Sequence, residues 1–195
     1  MAEEKAALLI VDVQKDFCPG GALAAPGGDR IISALNRHVA AARAHEMPVY
    51  ASRDWHPAVT THFKEYGGEW PPHCVQGTSG ARFHADLKLP PDAVVISKGD
   101  DPAKPGYSAF DGRTESGKSL AHDLHDRNIT RVYVSGIATD YCVKATALDA
   151  LRAGFHVRVL TDAITGIDVN AGDSDRALAE LTREGAQLVD AIQSA

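Results

Sequence analysis

The chain has 195 residues, a length typical of one domain with a sizeable hydrophobic core. Hydrophobic residues make up 44% and charged residues 24% of the chain, as in ordinary globular proteins, and the net charge of −6 comes without any basic run that would suit a nucleic acid. The longest apolar run near the start, residues 6–11, is far shorter than the roughly 20 residues of a membrane span.

The start of the chain and its cysteines indicate the compartment. Residues 1–5 carry two glutamates where a secretory signal needs basic residues, so we expect a cytoplasmic protein. The three cysteines, Cys18, Cys74 and Cys142, are an odd and widely spaced set, which makes a poor disulfide framework. At least one of them should therefore be a free thiol.

Short apolar runs rich in β-branched residues alternate with amphipathic stretches along the chain. The runs predict strands over residues 6–13, 48–52, 93–97, 131–135, 156–160 and 186–189. The amphipathic stretches predict four helices, one capped by Asp29, one starting near Ser116, one through Val143 that Gly154 ends, and one from Asp173 to Gly185. The alternation predicts one α/β domain over residues 1–195, with a mostly parallel sheet of about six strands and helices on both faces.

Polar side chains stand where the predicted strands end. Asp12 ends the apolar part of the first strand, Asp54 and His56 follow the second, Lys98 follows the third, and residues 136–142 follow the fourth. Ligands of parallel α/β sheets bind beyond the carboxyl ends of the strands. Residues 55–89 and 99–114 are long stretches rich in Gly and Pro, and such loops in a compact domain are usually functional. We therefore expect the functional site at this edge of the sheet.

Cys142 lies at the start of the helix predicted to follow the fourth strand. Thr139 can cap this helix, and a thiol in its first turn is close to the positive end of the helix dipole, which favours the thiolate. The free N–H groups of the same turn can hold an oxyanion. Local context leaves two interpretations open, a nucleophile and a small buried cysteine on a core-facing helix.

Asp12 and Lys98 place charge where the sheet edge meets the interior. A buried charge without a partner is costly, so we expect these residues to pair with each other or with a third group. Together with Cys142 they form a nucleophile–base set at three strand ends. The alternative is that Asp12 caps a turn and Lys98 reaches solvent.

A second set of candidate residues begins with Asp54-Trp55-His56 and continues with His62 and His73. In an extended chain, alternate side chains point the same way, so Asp54 and His56 can share one target. Carboxylate and imidazole groups suit a divalent transition metal, and so few protein ligands leave positions open for water or substrate. The alternative is a loop that carries surface histidines.

Six stretches of the sequence, taken in this order, are specific as a set. They are VDVQKDFCPGGAL at 11–23, DWHP at 54–57, WPPHCVQGT at 70–78, KG at 98–99, YSAF at 107–110 and GIATDYCV at 136–143. Through these motifs, nearly the whole chain resembles the nicotinamidases of the isochorismatase-like cysteine hydrolase superfamily.

The resemblance implies a role for each matching position. It implies a catalytic triad of Asp12, Lys98 and Cys142. It implies an oxyanion hole formed by the N–H groups of Ala138 and Cys142, with a cis peptide bond before Ala138. It implies metal ligation by Asp54, His56 and His73. It also implies a substrate pocket that includes Phe17, Leu23, Trp70, Tyr107, Ala138 and Tyr141.

One departure from the family pattern concerns His62. Many relatives carry a His at the position of Thr60 and a Ser at the position of His62, but some nicotinamidases use a His at the second position as a ligand. We therefore expect His62 to bind the metal as well, giving one Asp and three His around Zn(II), Fe(II) or Mn(II). The alternative is that His62 only approaches a metal-bound water.

The resemblance implies hydrolysis of nicotinamide to nicotinate and ammonia through a Cys142 thioester, activity on pyrazinamide, and a place in NAD salvage. A second hypothesis is a related hydrolase of ureido, N-carbamoyl or other heteroaromatic amides, although such relatives generally lack the Asp-x-His…His set. A third is a catalytically silent binding protein, which the complete triad disfavours. We expect a small-molecule substrate and no nucleic-acid or membrane partner, and the sequence leaves a homo-oligomer open.

Overall fold

A seven-stranded sheet forms the centre of the computed structural model, which describes residues 4–193. Its strands are β1 (Ala6–Val11), β2 (Val49–Asp54), β3 (Val94–Lys98), β4 (Arg113–Thr114), β5 (Arg131–Ile137), β6 (His156–Thr165) and β7 (Gln187–Val189). Their order is β4-β3-β2-β1-β5-β6-β7, and every neighbouring pair is parallel except β3 with β4. Residues 1–3 and 194–195 of the predicted domain lie outside the described range.

Four helices cover the two faces of this sheet. They are α1 (Ile32–Ala44), α2 (Leu120–Asp126), α3 (Lys144–Arg152) and α4 (Asp173–Arg183). Because side chains alternate along a strand, Leu8 in β1 packs in the cluster of α1, while Leu9 packs in the cluster of the other three helices. The predicted α/β class with helices on both faces is therefore confirmed. None of the helices within residues 4–193 is long and apolar enough to cross a membrane.

The sheet has one strand more than predicted, and several strand ends differ. The two residues of β4 are too few to carry a strand pattern in the sequence. β1 ends at Val11 and not at residue 13, because Asp12 adopts a positive φ of 50°. β2 and β3 extend further than predicted, because Asp54 and Lys98 still pair with each other in register. These two residues are thus the last of their strands, and not the first of their loops.

Two predicted helix starts are wrong. No side chain caps α1, which begins at Ile32, and Asp29 contributes only its carbonyl oxygen to the preceding turn. α2 begins four residues after Ser116, because the chain first makes a tight turn in which Gly117 has a φ of 84°. The hydroxyl of Ser119 then caps α2. Both predictions start the helix too early, at residues that belong to the turn before it.

Candidate active site

Asp12, Lys98 and Cys142 come together at the carboxyl edge of the sheet, as predicted. Lys98 Nζ lies 2.8 Å from Asp12 Oδ2 and 3.6 Å from Cys142 Sγ. The three side chains are buried, and those of Asp12 and Lys98 have no exposed surface. The alternative in which Lys98 reaches solvent is wrong.

Lys98 holds its ammonium between two carboxylates and a carbonyl. Its Nζ donates to Asp54 Oδ1 at 2.5 Å and to the carbonyl oxygen of Gly106 at 3.1 Å. Burial alone would lower the pKa of this amine, but Asp12 and Asp54 outweigh it and raise the pKa well above its usual value. Lys98 is therefore a permanent cation in this site.

Asp12 has the electrostatic character of a base that works near neutral pH. Burial raises its pKa to about 6, although Lys98 and a hydrogen bond from Ser52 favour the ionised form. The hydroxyl of Ser52, at 2.7 Å, donates to Asp12 Oδ1. A carboxylate with this pKa can accept a proton from a neighbouring group at pH 7 and return it later.

Cys142 rests as a thiol, contrary to the expectation that its position favours the thiolate. Burial raises the pKa of Cys142 well above its usual value, and Lys98 only partly opposes this. Oxygen and sulfur ligand atoms of Asp12, Asp54 and Cys142 all lie within 4.8 Å of one another. Two carboxylates this close also disfavour a negative sulfur, so the thiol needs a base to become a nucleophile.

The turn that carries Cys142 differs from the predicted capped helix. Residues Thr139–Val143 form one turn of π-helix, and α3 continues from it. Ala138, and not Thr139, stands at the start of the turn, and no side chain caps it. The peptide bond between Ile137 and Ala138 is cis, as the resemblance implies. The turn therefore begins directly at the end of β5, with its first amides at the sheet edge.

His56, His62 and His73 form a compact cluster next to this set. One ring nitrogen of each lies within 4.8 Å of those of the other two. Asp54 Oδ2 lies 3.5 Å from His56 Nε2 and 3.8 Å from His73 Nε2. Ligand atoms around one metal lie roughly 3 to 4 Å apart, since each bond is about 2 Å long. The cluster is buried, so the alternative of surface histidines is wrong.

The outer nitrogens of two of these rings are fixed by backbone carbonyls. His56 Nδ1 lies 2.9 Å from the oxygen of Gly99, and His73 Nδ1 lies 2.8 Å from the oxygen of Pro71. A carbonyl oxygen can only accept, so each Nδ1 donates to it, and each Nε2 faces Asp54, which is how metal-binding histidines are usually held. Within residues 4–193, His56 Nε2 is one of the few buried side-chain atoms without a hydrogen-bond partner. The donor set therefore fits a divalent transition metal.

His62 is held differently from the other two histidines. Its ring stacks on that of His56, with centroids 4.6 Å apart and an angle of 25° between the planes. Burial lowers the pKa of His62 to about 4, with further lowering by His56 and His73. The ring is therefore neutral at pH 7 and has a lone pair to offer, as a ligand must.

Aromatic side chains surround the two sets of the active site, which are the catalytic set and the metal-ligand set. The catalytic set is Asp12, Lys98 and Cys142, and the metal-ligand set is Asp54, His56, His62 and His73. Phe17 lies 5.4 Å from the ring of His73, and Tyr107 lies 5.5 Å from the ring of His62. Trp70 Nε1 donates to the hydroxyl of Tyr107 at 2.9 Å, and the ring of Tyr141 lies 5.0 Å from that of Trp70. Leu23 is half-buried against the hydrophobic cluster that contains Phe17. Five of the six predicted pocket residues thus lie beside the catalytic residues and the histidine cluster or in the turn that begins at Ala138.

Gly99, Gly106 and Phe63 are among the residues of the site that have no role in the sequence analysis. Gly99 and Gly106 hold His56 and Lys98 through carbonyl oxygens, which no residue pattern reveals. Phe63 is fully buried and its ring lies 5.5 Å from those of both His56 and His73. For these three residues, the sequence offered one signal of a role in the site, which is the position of Gly99 directly after Lys98.

The pattern of an isochorismatase domain matches residues 6–193. The chain belongs to the isochorismatase family. Two enzymes with a named activity are similar to the chain over nearly their whole length. The nicotinamidase of Escherichia coli (strain K12) is 42% identical over 199 residues, covering 93% of each chain. The nicotinamidase/pyrazinamidase of Mycobacterium tuberculosis (strain ATCC 25618 / H37Rv) is 43% identical over 187 residues, covering 94% of this chain and 97% of its own.

A pyrazinamidase of known structure has the same fold. The crystal structure of the pyrazinamidase of Pyrococcus horikoshii in complex with zinc matches with a TM-score of 0.88 and 47% sequence identity. The match covers 95% of this chain and 98% of that chain. The resemblance inferred from six motifs is thereby confirmed at the level of the whole domain.

Proposed function

We propose that this isochorismatase-family protein is a nicotinamidase, which hydrolyses nicotinamide to nicotinate and ammonia and also accepts pyrazinamide. One observation carries the proposal: the Asp12–Lys98–Cys142 set lies beside a buried cluster of three histidines, with Asp54 in contact with both. A nucleophile next to such a cluster suits an amide carried on a ring that has its own nitrogen. The similarity to nicotinamidases and to a pyrazinamidase supports this assignment.

We propose Asp54, His56, His62 and His73 as the ligands of one divalent metal, Zn(II), Fe(II) or Mn(II). Such a metal, when bound, supplies a Lewis-acidic position for the ring nitrogen of the substrate. Zinc in the Pyrococcus horikoshii pyrazinamidase supports a metal in the fold. The four protein ligands hold that position at a fixed place relative to Cys142, and such positioning can lower a barrier by several kcal/mol, on the order of 10⁵-fold in rate.

The first half of the reaction forms a thioester. The carboxylate of Asp12 takes the proton of the Cys142 thiol, and the sulfur attacks the carboxamide carbon. The carbonyl oxygen becomes an oxyanion, which the N–H groups of Ala138 and Cys142 hold. Asp12 returns its proton to the nitrogen as the C–N bond breaks, so ammonia leaves and the acyl group stays on sulfur. Lys98 remains charged throughout and lowers the energy of the ionised sulfur.

The second half releases the acid. Asp12 takes a proton from a water molecule, whose oxygen attacks the thioester carbon. The same two N–H groups hold the second oxyanion, which collapses to nicotinic acid with loss of the sulfur, and the acid then releases its proton to water and leaves as nicotinate. The proton on Asp12 goes back to Cys142, so the enzyme returns to its resting thiol. Nicotinate then enters NAD salvage.

The aromatic residues provide the walls of the substrate site in this proposal. Phe17, Trp70, Tyr107 and Tyr141 offer flat apolar surface next to the cluster, which suits a planar pyridine or pyrazine ring. The hydrogen bond from Trp70 to Tyr107 fixes both rings. Leu23 and Ala138 complete the set as small or aliphatic neighbours. Cytoplasmic location and any homo-oligomer stay predictions.

The direct test measures ammonia release from a panel of amides. Wild-type protein should release ammonia from nicotinamide and from pyrazinamide, and Cys142→Ala should lose at least about 10³-fold, since no other group can form the thioester. Full activity of Cys142→Ala would overturn the proposal. Turnover of nicotinamide but not of pyrazinamide would contradict only the wider substrate range.

A chelation experiment separates this proposal from a hydrolase of ureido or N-carbamoyl compounds. Prolonged dialysis against a strong chelator should abolish nicotinamide hydrolysis, and metal analysis of the untreated protein should give about one divalent ion per chain. Full activity after complete metal removal, or preference for a ureido compound over nicotinamide, would favour the other assignment.

A further inference from the structure

Gln14 is a fully buried polar residue outside both sets of the active site. It lies three residues beyond the end of β1, and its side chain makes three hydrogen bonds. Gln14 Nε2 donates to the carbonyl oxygens of Asp54 at 2.8 Å and Ala81 at 2.9 Å, and Gln14 Oε1 accepts the N–H of Asp54 at 2.8 Å. One side-chain amide therefore satisfies both backbone polar groups of Asp54.

These bonds take the place of backbone hydrogen bonds that a longer β1 would make to β2. β1 and β2 run parallel, but β1 ends at Val11 and the chain turns at Asp12, so no β1 backbone is left beside Asp54. A backbone N–H or C=O buried without a partner costs about 1–3 kcal/mol. The amide of Gln14 has one donor group and one acceptor, as a peptide unit has, and it takes the place of the next residue of β1.

The side chain of Gln14 is itself held in place by its backbone. Gln14 forms an isolated antiparallel bridge with Phe83, Lys15 N–H donates to Arg82 O at 2.9 Å, and His84 N–H donates to Val13 O at 2.9 Å. The amide thus extends from a fixed point, and its two partners on Asp54 fix its orientation.

The orientation of Asp54 matters because its two carboxylate oxygens have different partners. Oδ1 contacts Lys98 at 2.5 Å, while Oδ2 faces His56 and His73. A rotation or shift of the Asp54 backbone would move both oxygens at once. A group that fixes this backbone therefore fixes the contact of Asp54 with Lys98 and its contacts with the histidines. It does so without contacting metal, substrate or sulfur.

We infer that Gln14 is a positioning residue for the metal site, acting through the backbone of Asp54. The inference rests on the metal ligands proposed above. Outer partners of metal ligands typically change metal affinity by about 10–100-fold when they are removed. Loss of the Gln14 amide should therefore weaken metal binding even though Gln14 is not a ligand.

The test measures the zinc affinity of the full-length protein by competition with a chromophoric chelator. Gln14→Met keeps the length of the side chain and removes all three hydrogen bonds. Gln14→Glu keeps the volume and the acceptor for Asp54 N–H but cannot donate to the two carbonyls. We expect both variants to bind zinc about 10–100-fold more weakly than wild type, and excess zinc to restore part of the activity.

Asn36 provides a matched control. Its side-chain amide also bridges a backbone acceptor and donor, Asp86 O at 2.9 Å and Lys88 N at 2.8 Å, but on α1 and away from both sets. Asn36→Leu should leave zinc affinity near the wild-type value. An equal loss of affinity in Asn36→Leu would show general loosening of the fold and overturn the inference.

Each remaining outcome also has a defined meaning. Wild-type zinc affinity in folded Gln14→Met and Gln14→Glu overturns the inference and leaves the metal site intact. If Gln14→Met does not fold, Gln14→Glu decides. Failure of the wild-type protein to bind any divalent metal overturns the proposed metal site and this inference with it, so the two failures are distinguishable.

Discussion

Lys98 Nζ lies 2.5 Å from Asp54 Oδ1, and this ion pair joins the two halves of the active site. Asp54 Oδ2 faces the histidine cluster, and the same ammonium lies 2.8 Å from Asp12. One lysine therefore balances two buried carboxylates that belong to different chemical tasks. Any change to Lys98 should affect stability, metal binding and nucleophile activation together.

Replacing Lys98 with Met should destabilise the fold as well as abolish turnover. The substitution leaves Asp12 and Asp54 buried without their cation, and removing one partner of a buried pair typically costs about 3–5 kcal/mol. Urea unfolding in the presence of a chelator measures this loss. Lys104→Met is the control, because the pair of Lys104 with Asp101 is exposed and such pairs contribute little to stability. A Lys98→Met protein as stable as Lys104→Met would contradict this account of the site.

The pH dependence of kcat/KM should show an acid limb near pH 6. Asp12 must be ionised to take the thiol proton, and burial raises its pKa to about 6. Activity should therefore fall as the pH drops through 6, by about tenfold per unit below it. The check is a measurement of kcat/KM from about pH 4.5 to about pH 8, with the metal kept at a saturating concentration.

Ser52→Ala should move that acid limb to higher pH. The Ser52 hydroxyl donates to Asp12 Oδ1 and so stabilises the ionised form. Without this bond the neutral acid is favoured, so the apparent pKa rises and the activity at pH 6 falls more than the activity at pH 8. An acid limb at the same pH in both proteins would mean that Asp12 is not the group that titrates there, and a limb at the ordinary Asp value of about 4 would contradict its raised pKa.

The nucleophile, the charged residues and the histidines of this site were predictable from the sequence, but the electrostatic states of the catalytic residues were not. Asp12, Lys98 and Cys142 were predicted to meet because parallel strands end at one edge of the sheet. The state of Cys142 depends instead on burial and on two nearby carboxylates, which no local pattern contains. A helix-dipole argument from neighbouring residues therefore gave the wrong protonation state.

The fold shows the same limit at strand ends. The predicted first strand runs to Val13, but the positive φ of Asp12 ends β1 two residues earlier. Asp54 is polar and looked like a loop residue, yet the pairing with Lys98 keeps it in β2. Local backbone conformation at Asp12 and long-range pairing at Asp54 decide these boundaries, whereas the patterns in the sequence predicted every strand except the two-residue β4.

His62 provides a test of direct metal ligation. If His62 is a ligand, His62→Ala should lower zinc affinity by more than about 100-fold, beyond what loss of an outer partner usually causes. The visible spectrum of the Co(II)-substituted protein should also change, because a nitrogen ligand is lost. A loss of only about 10–100-fold with an unchanged Co(II) spectrum would indicate contact through a bound water. His84→Ala is the control, since His84 pairs with Asp86 in a loop outside the cluster.

Gly99→Ala should weaken metal binding through His56. Gly99 has a φ of +71°, and a Cβ there would lie 2.5 Å from His56 Cε1 and 2.8 Å from His56 Nδ1. The ring must move, and with it the hydrogen bond between His56 Nδ1 and Gly99 O. We expect zinc affinity to fall by about tenfold or more, as for other outer partners of ligands.

Gly117→Ala separates this effect from backbone strain. Gly117 has a similar φ of +84°, but a Cβ there meets nothing within 4 Å. Both variants should lose about 1–2 kcal/mol in urea unfolding from the left-handed conformation, because an L side chain crowds the following carbonyl. Only Gly99→Ala should also lose zinc affinity, since only its Cβ meets a ligand ring. If Gly99→Ala binds zinc as tightly as wild type, the ring of His56 can move without a loss of zinc affinity. That result would contradict the claim that Gly99 fixes this ring for metal binding.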